Sequence, residues 1–314
     1  MLIACLLGAS QGGALFAQGG TDGGSLFDIP ATPRALALQG AYASVVGDEG
    51  SIFVNPAGMA PIHQFALGLS YEKGLLGSRL STGALAMRLG HSFDVGFGVM
   101  YQDLGGDSVV VPDPATGGDF GQATGALITA WNGLAVGALA YRRGMLSVGG
   151  SVKVLHEEIS GGPASYRSSA VAGDVGFAIA VFDIMSLGGV LQNIGGASHA
   201  TNGTAASLPR TGRIGFTINF IDPQGTARLM ATTDWVKPSG SDSYWAFGFE
   251  GGVVAAGKGV LGRLGVATGR AATDRKGLSL GAGLVVHSLR VDYAWQPYGA
   301  LAGSQQRLGV RWMP

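Results

Sequence analysis

From Gln64 onward, apolar residues fall at every second position in one segment after another. Phe65, Leu67, Leu69 and Tyr71 alternate with Ala66, Gly68, Ser70 and Glu72; Phe93, Val95, Phe97, Val99 and Tyr101 alternate with Asp94, Gly96, Gly98, Met100 and Gln102. The same pattern recurs around Leu146–Val154, Ile214–Phe220, Leu289–Trp295 and Leu308–Trp312. Period two puts each set on one face of a strand. Such strands admit two arrangements: a soluble β-protein with the apolar face inward, or a membrane barrel with it outward. The composition favours the barrel. Charged residues are only 13% of the chain, whereas a solvated surface is about a quarter charged or more. The non-apolar face is mostly glycine, alanine and serine with isolated charges. Tyr71, Tyr101, Tyr141, Trp235, Trp295 and Trp312 fall near strand ends, where interfacial aromatics gather. After the N-terminus, no apolar run reaches the length of about 18 residues that a membrane helix needs.

The expected fold is therefore all-β, a transmembrane antiparallel barrel. Fourteen strands are read at 65–73, 79–89, 92–103, 130–143, 145–157, 168–182, 184–193, 209–221, 225–236, 243–254, 259–268, 276–287, 288–296 and 303–313. The number is even, as single-chain bacterial barrels require. Residues 104–130 read either as a long external loop with its own hairpin or as an extra strand pair. Loop 194–208 is polar and glycine-rich and reads as mobile. Phe97 faces lipid on this reading, so an arginine there is costly, while serine at its neighbour Gly98 is cheap.

Residues 1–17 read as a secretory signal cleaved near Ala17-Gln18, although a basic n-region is missing. The lone cysteine, Cys5, excludes an internal disulfide framework, and it lies too near the start for a lipoprotein box. Residues 18–30 form a glycine-rich leader, read as flexible. Residues 31–62 form a compact plug, and 63–314 the barrel. In the plug, Arg34–Ala43 reads as a short apolar helix stopped near Gly47-Asp48. Asn55-Pro56-Ala57-Gly58 starts a turn, because proline pushes the residue before it out of helix and Gly58 tolerates positive φ.

Arg34-Ala35-Leu36-Ala37-Leu38, then Gly40-Ala41-Tyr42, then Gly47-Asp48-Glu49, then Asn55-Pro56-Ala57-Gly58-Met59 resembles the N-terminal hatch of the PorV/PorQ-like outer-membrane barrels, relatives of the FadL long-chain fatty-acid channels. Three further stretches follow in that family's order. Gly149–Glu157, containing Lys153, is similar to its Gly-x-x-x-Lys-x-Leu-His strand. Gly189–Gly195, with Gln192 and Asn193, is similar to its Gln-Asn-Ile-Gly turn. Val291–Tyr298, with Asp292, Tyr293 and Pro297, is similar to its penultimate strand. The resemblance runs from about residue 30 to the end. It implies a bacterial outer-membrane location, fourteen strands and a hatch inside the barrel. The family usually closes on an aromatic residue; here Trp312 stands two residues before a terminal proline.

No residue pattern points to catalysis or a cofactor. The five histidines, His63, His91, His156, His199 and His287, lack metal-ligand spacing. His156 beside Glu157-Glu158 reads as a polar strand end at a membrane rim. There is no Gly-x-Ser-x-Gly elbow and no phosphate loop. Net charge is zero, with no basic excess for nucleic acid. The chain is read as a non-enzyme. Inward parity places Lys153, Arg213, Glu250, Arg290 and Asp292 in the lumen, and a hatch bearing Arg34, Asp48 and Glu49 is expected to form an ion pair with that wall.

Three functions fit. The family resemblance puts first an accessory of type IX-like protein secretion or surface delivery, whose loops 104–122 and 194–208 contact partner proteins. The alternative is a FadL-like channel for hydrophobic solutes such as long-chain fatty acids, taken up in an external groove and released through a wall gap beside the hatch. Outer-membrane lipid is a partner in either case. The third is a structural barrel. A lipid channel needs large apolar residues in hatch and lumen. The hatch offers Leu36, Leu38, Tyr42, Ile52, Phe53 and Met59, while the inward wall is mostly glycine and alanine.

Overall fold

The computed structural model describes residues 24–74, 77–112, 121–161, 165–182, 184–221, 226–268, 277–298 and 303–314. The expected signal segment lies outside them. The strands are β1 (Phe65–Lys73), β2 (Arg79–Leu89), β3 (Phe93–Pro112), β4 (Gly121–Arg143), β5 (Leu146–Ser160), β6 (Tyr166–Val181), β7 (Met185–Gly195), β8 (Ala197–Ala200), β9 (Ala205–Ser207), β10 (Thr211–Ile221), β11 (Ala227–Pro238), β12 (Tyr244–Ala255), β13 (Lys258–Ala267), β14 (Leu278–Val286), β15 (Leu289–Pro297) and β16 (Ser304–Trp312). All neighbours pair antiparallel. β5 bonds both β4 and β6, β7 bonds β10, and β16 returns to β1 with Leu67 opposite Trp312. Leaving out the small β8–β9 hairpin, fourteen strands close into a barrel.

The alternation sorts the two faces as the period-two pattern demands. Phe97 is 59% exposed, whereas its strand neighbour Asp94 is fully buried. Outward aromatics mark both rims: Tyr71 and Tyr101 at one end, Tyr141 and Trp312 at the other. The second end carries the tight turns β2–β3, β4–β5 and β14–β15, and the first carries the longer connections.

Two loop readings are corrected. Residues 104–130 are neither a separate hairpin nor an added strand pair. β3 and β4 continue past the wall as one ribbon, with Gly106 opposite Thr129 and Pro112 opposite Gly121, and register shifts at Asp103/Gly106 and Ser108/Val110. The two strands stay paired beyond the wall despite these shifts, and residues 113–120 lie outside the described residues. Loop 194–208 also carries structure: β8 pairs with β9 and with β6.

Residues 24–62 run through the lumen. Their partners lie on strands all round the wall, from Ser147 on β5 and Ser186 on β7 to Asp234 on β11, Ser279 on β14 and Arg311 on β16. The leader read as flexible is, from Gly24 on, part of this packed segment. Ser25–Asp28 forms a 3-10 turn with Leu26 and Phe27 buried. The apolar helix is shorter than expected, Pro33–Ala37. It is stopped by Gln39 and Gly40, both at positive φ (55° and 73°).

The hatch explains the glycine-rich inner face. A Cβ on Gly149 would stand 2.6 Å from the Ala57 backbone nitrogen, and one on Gly265 2.6 Å from that of Gln39. Hatch backbone lies directly on wall backbone there. Gly98 is therefore not the tolerant position expected, since its Cβ would meet Phe53 Cζ at 2.6 Å and Ile52 Cδ1 at 2.7 Å. Overpacking of this kind costs about 1–3 kcal/mol. Phe97, midway between the rim residues Phe93 and Tyr101, is expected to lose about 2–4 kcal/mol on replacement by arginine, the cost of that charge at the bilayer midplane. Urea unfolding of Phe97→Arg and Gly98→Ser in detergent-free bilayers checks both. Undiminished stability of Phe97→Arg contradicts the outward face, and undiminished stability of Gly98→Ser contradicts the close packing.

Candidate functional site

The candidate site is the seat of the hatch in the wall. Three of the four hatch turns are capped by a side chain at their own start, which spares backbone donors that no strand can satisfy; the Ser25–Asp28 turn starts at Gly24 without one. Thr32 Oγ1 accepts from Ala35 N at 3.2 Å, with Pro33 at the first helical position, where its missing N–H costs nothing. Asp48 Oδ1 accepts from Gly50 N at 3.0 Å. Asn55 Oδ1 accepts from Ala57 N at 3.2 Å and caps the Pro56–Met59 turn. The Asn55 amide donates to Ala43 O at 2.7 Å within the hatch and to Phe177 O at 3.0 Å on β6. One side chain thus satisfies three backbone groups and ties the turn to the wall. Gly58 is not at positive φ. It is glycine because a Cβ would lie 2.6 Å from Val45 O. Ala57 O accepts from Ser147 Oγ at 3.0 Å.

Around Arg34 the hatch and wall share an ionic network. Arg34 grips Glu250 of β12 with two bonds, 2.9 and 2.8 Å, and reaches Asp48 at 3.0 Å. Arg311 of β16 lies 3.4 Å from Asp48 and 2.6 Å from Glu49. Arg263 of β13 bridges Glu250 and Asp292 at 2.5 and 2.7 Å, and Arg290 of β15 holds Asp292 at 2.7 Å. Four guanidiniums (34, 263, 290, 311) face four carboxylates (48, 49, 250, 292), so the buried set is formally neutral. Burial alone raises the pKa of Asp48. The guanidiniums of Arg311, Arg34 and Arg290 outweigh that and hold this hatch carboxyl well below the ordinary carboxylate range. The expected hatch–wall ion pair is thus present several times over. Tyr42 is fully buried beside it, 5.9 Å beneath the Arg34 guanidinium, and its backbone N–H, like that of Ala43, donates to Asp234 Oδ2 at 2.9 Å.

A second cluster lies across the lumen at a wall irregularity. Between β6 and β7, Gln192 and Asn193 together oppose Asp174, and Asn193 takes φ 57°. The bulge is held by side chains. Asp174 Oδ1 accepts from Asn193 N at 2.8 Å, and Lys153 Nζ sits 2.7 Å from Asp174 Oδ2 and 3.0 Å from Asn193 Oδ1. Lys153 and Gln192 both donate to the hatch carbonyl of Phe53, at 3.5 and 3.3 Å. Arg213 links Gln192 Oε1 (2.7 Å) to Gly40 O (3.1 Å).

The structure therefore brings Arg34, Gly40, Tyr42, Asn55, Pro56, Ala57, Gly58, Lys153, Gln192, Asn193 and Asp292 to the hatch–wall boundary. It does not bring Tyr293 and Pro297 there: Tyr293 faces outward, its hydroxyl donating to Gln306 at 3.1 Å, and Pro297 ends β15. Asp174, Asp234, Arg263 and Arg311 went unnoticed, though the same inward parity that marked Glu250 marks them. His156 lies against Trp131 with the rings tilted by 39° (ring centroids 5.1 Å) and bonds Ser169 at 3.0 Å, at the rim.

Ion pairs are densest towards β12–β16. The largest apolar cluster lies towards β2–β5, where Leu26, Phe27, Ile52, Phe53 and Met59 of the hatch and Leu208 gather with Leu80, Met100, Leu134 and Leu155 of the wall, alongside the buried pairs Arg88–Asp94 and Lys153–Asp174.

A closed fourteen-strand transmembrane barrel with an inner segment seated by polar clusters defines the class. No family model and no curated protein matches the chain. Solved structures share the fold. A Pseudomonas aeruginosa FadL homologue aligns at 14% identity over 90% of this chain and 98% of its own, with TM-score 0.58. The CymD monoaromatic hydrocarbon channel aligns at 14% identity over 90% and 97%, TM-score 0.62. The Pseudomonas putida toluene transporter TodX aligns at 12% identity over 89% and 96%, TM-score 0.59.

Proposed function

We propose that this protein is an outer-membrane channel for small hydrophobic solutes, closed in the present state by its hatch. On this reading the tight-turn end faces the periplasm and the long-loop end the exterior, as in other outer-membrane barrels. The observation that carries it is the large apolar cluster between the hatch and β2–β5. A wall needing only a filler gains nothing from gathering Leu26, Phe27, Leu134, Leu155 and Leu208 into one large cluster towards the long-loop end. An entering apolar molecule gains about 25 cal/mol per Å² of apolar surface withdrawn from water in such a lining. The ion pairs keep the hatch anchored while the apolar cluster repacks. The fold shared with hydrocarbon and toluene channels agrees with this reading. The chain is on this view a transporter and not an enzyme. The secretion-accessory reading keeps only its sequence motifs, with no relative or contact in its favour.

The test is uptake by cells expressing the protein in a strain lacking its own hydrophobic-solute channel. Toluene and a long-chain fatty acid are expected to enter faster than in vector controls, and a sugar of similar size at the control rate. Uptake of both apolar probes at the control rate refutes the proposal.

A further inference from the structure

The outer wall is indented where the hatch turn of Asn55 lies behind it. Inward glycines Gly149, Gly176 and Gly188 let β5, β6 and β7 settle onto Ala57, Asn55 and Ala43. On the opposite, lipid-facing side β5 carries Gly150 and β10 carries Gly212, where a Cβ would meet nothing nearer than 3.5 and 3.6 Å, while the Phe177 ring lies over Gly189. The result is a groove of about 800 Å³ lined by Leu139, Tyr141, Phe177, Leu191, Ile214 and Trp235. It crosses the wall obliquely. Tyr141 lies two residues from the tight-turn end of β4, and Trp235 lies three residues from the long-loop end of β11. Its floor is almost wholly apolar and opens along its length to the hydrocarbon region. Arg143, exposed and of the same outward parity, stands two residues beyond Tyr141, about 7 Å along the strand.

We propose that this groove binds a glycerophospholipid of the surrounding bilayer, with an acyl chain over Gly150 and Gly212, beside the Phe177 ring, and an anionic head at Arg143. Two features single out this occupant. The groove faces the membrane interior, where acyl chains are the solvent, and its tight-turn end offers a cation at headgroup level, which favours a head of net negative charge over a zwitterionic one, whose own cation is repelled. A site of this kind fixes a lipid against the glycine-lined strands that seat the hatch turn on their inner side. The proposal does not depend on solute transport.

The test uses the full protein in phosphatidylcholine nanodiscs doped with phosphatidylglycerol bearing a diazirine in one acyl chain. Labelled peptides are mapped by mass spectrometry after irradiation. Label is expected to concentrate on β5, β6, β7 and β10. Gly150→Leu with Gly212→Leu is expected to abolish that preference by filling the groove. The ladder survives these changes, because a Cβ at Gly150 comes no nearer than 3.5 Å to Asp174 O, and one at Gly212 no nearer than 3.6 Å to Leu191 Cδ2. Heat-modifiable mobility verifies that each variant is folded. Arg143→Gln is expected to reduce labelling by the phosphatidylglycerol probe and leave that by a diazirine phosphatidylcholine unchanged. Label spread evenly round the barrel, or indifferent to the filled groove, overturns the site. Equal response of both probes to Arg143→Gln overturns the headgroup assignment. Labelling by diazirine palmitic acid in place of the phospholipid overturns the choice of occupant.

Discussion

Arg34→Leu is expected to loosen the hatch while leaving the barrel closed. Removing one partner of a buried ion pair typically costs about 3–5 kcal/mol, because the remaining charge is stranded away from water. Here Glu250 retains Arg263 at 2.5 Å and Asp48 retains Arg311 at 3.4 Å, so the lower part of that range applies. The loss falls on residues 31–62, because the wall ladder makes none of its bonds through Arg34. Hydrogen exchange in bilayers reads this directly: faster exchange in hatch amides, with strand protection and heat-modifiable mobility retained. Pairing Arg34→Leu with Glu250→Leu restores neutrality and is expected to recover part of the protection. A double variant as loosened as the sum of its two single variants shows that the two residues do not couple.

Asn55→Leu separates the hatch from the wall at one point. It deprives Ala57 N, Ala43 O and Phe177 O of their partner, at about 1–3 kcal/mol for each group left buried and unsatisfied. Leucine also lacks room, since a Cβ on Gly176 would already collide with Asn55 Oδ1. The barrel is expected to insert and keep its heat-modifiable mobility, because its hydrogen bonds close without the hatch. Hydrophobic-solute uptake is expected to change sharply. Asn55→Asp, which keeps the acceptor for Ala57 N and loses the two donated bonds, is expected to be intermediate. Wild-type uptake in Asn55→Leu with the barrel intact reduces the hatch to a filler.

Much of this was legible in the residues. The fourteen wall strands and their inward and outward faces follow from local covalent geometry, while the plug ahead of them was legible in its small residues and turn signals, and its place inside the wall only in the family resemblance. Side chains on a strand must alternate, and membrane lipid admits only the apolar set. Inward parity likewise placed Lys153, Arg213, Glu250, Arg290 and Asp292 in the lumen. What parity omits is partnership. Arg34 meets Glu250 across 216 positions of sequence, and which inward residue faces which hatch turn depends on how the closed wall wraps around it. The same holds for Gly98 and Gly58. Each reads as a permissive glycine until the backbone or ring opposite is known, and each is then a position with no room for a side chain. The bulge at Asn193 has no signature in the period, because its left-handed residue is held by Asp174 and Lys153 from two other strands. Local chemistry determined the wall and its faces. Closure of the barrel around the hatch decided the contacts, because those are set by distances across the lumen that no stretch of sequence contains.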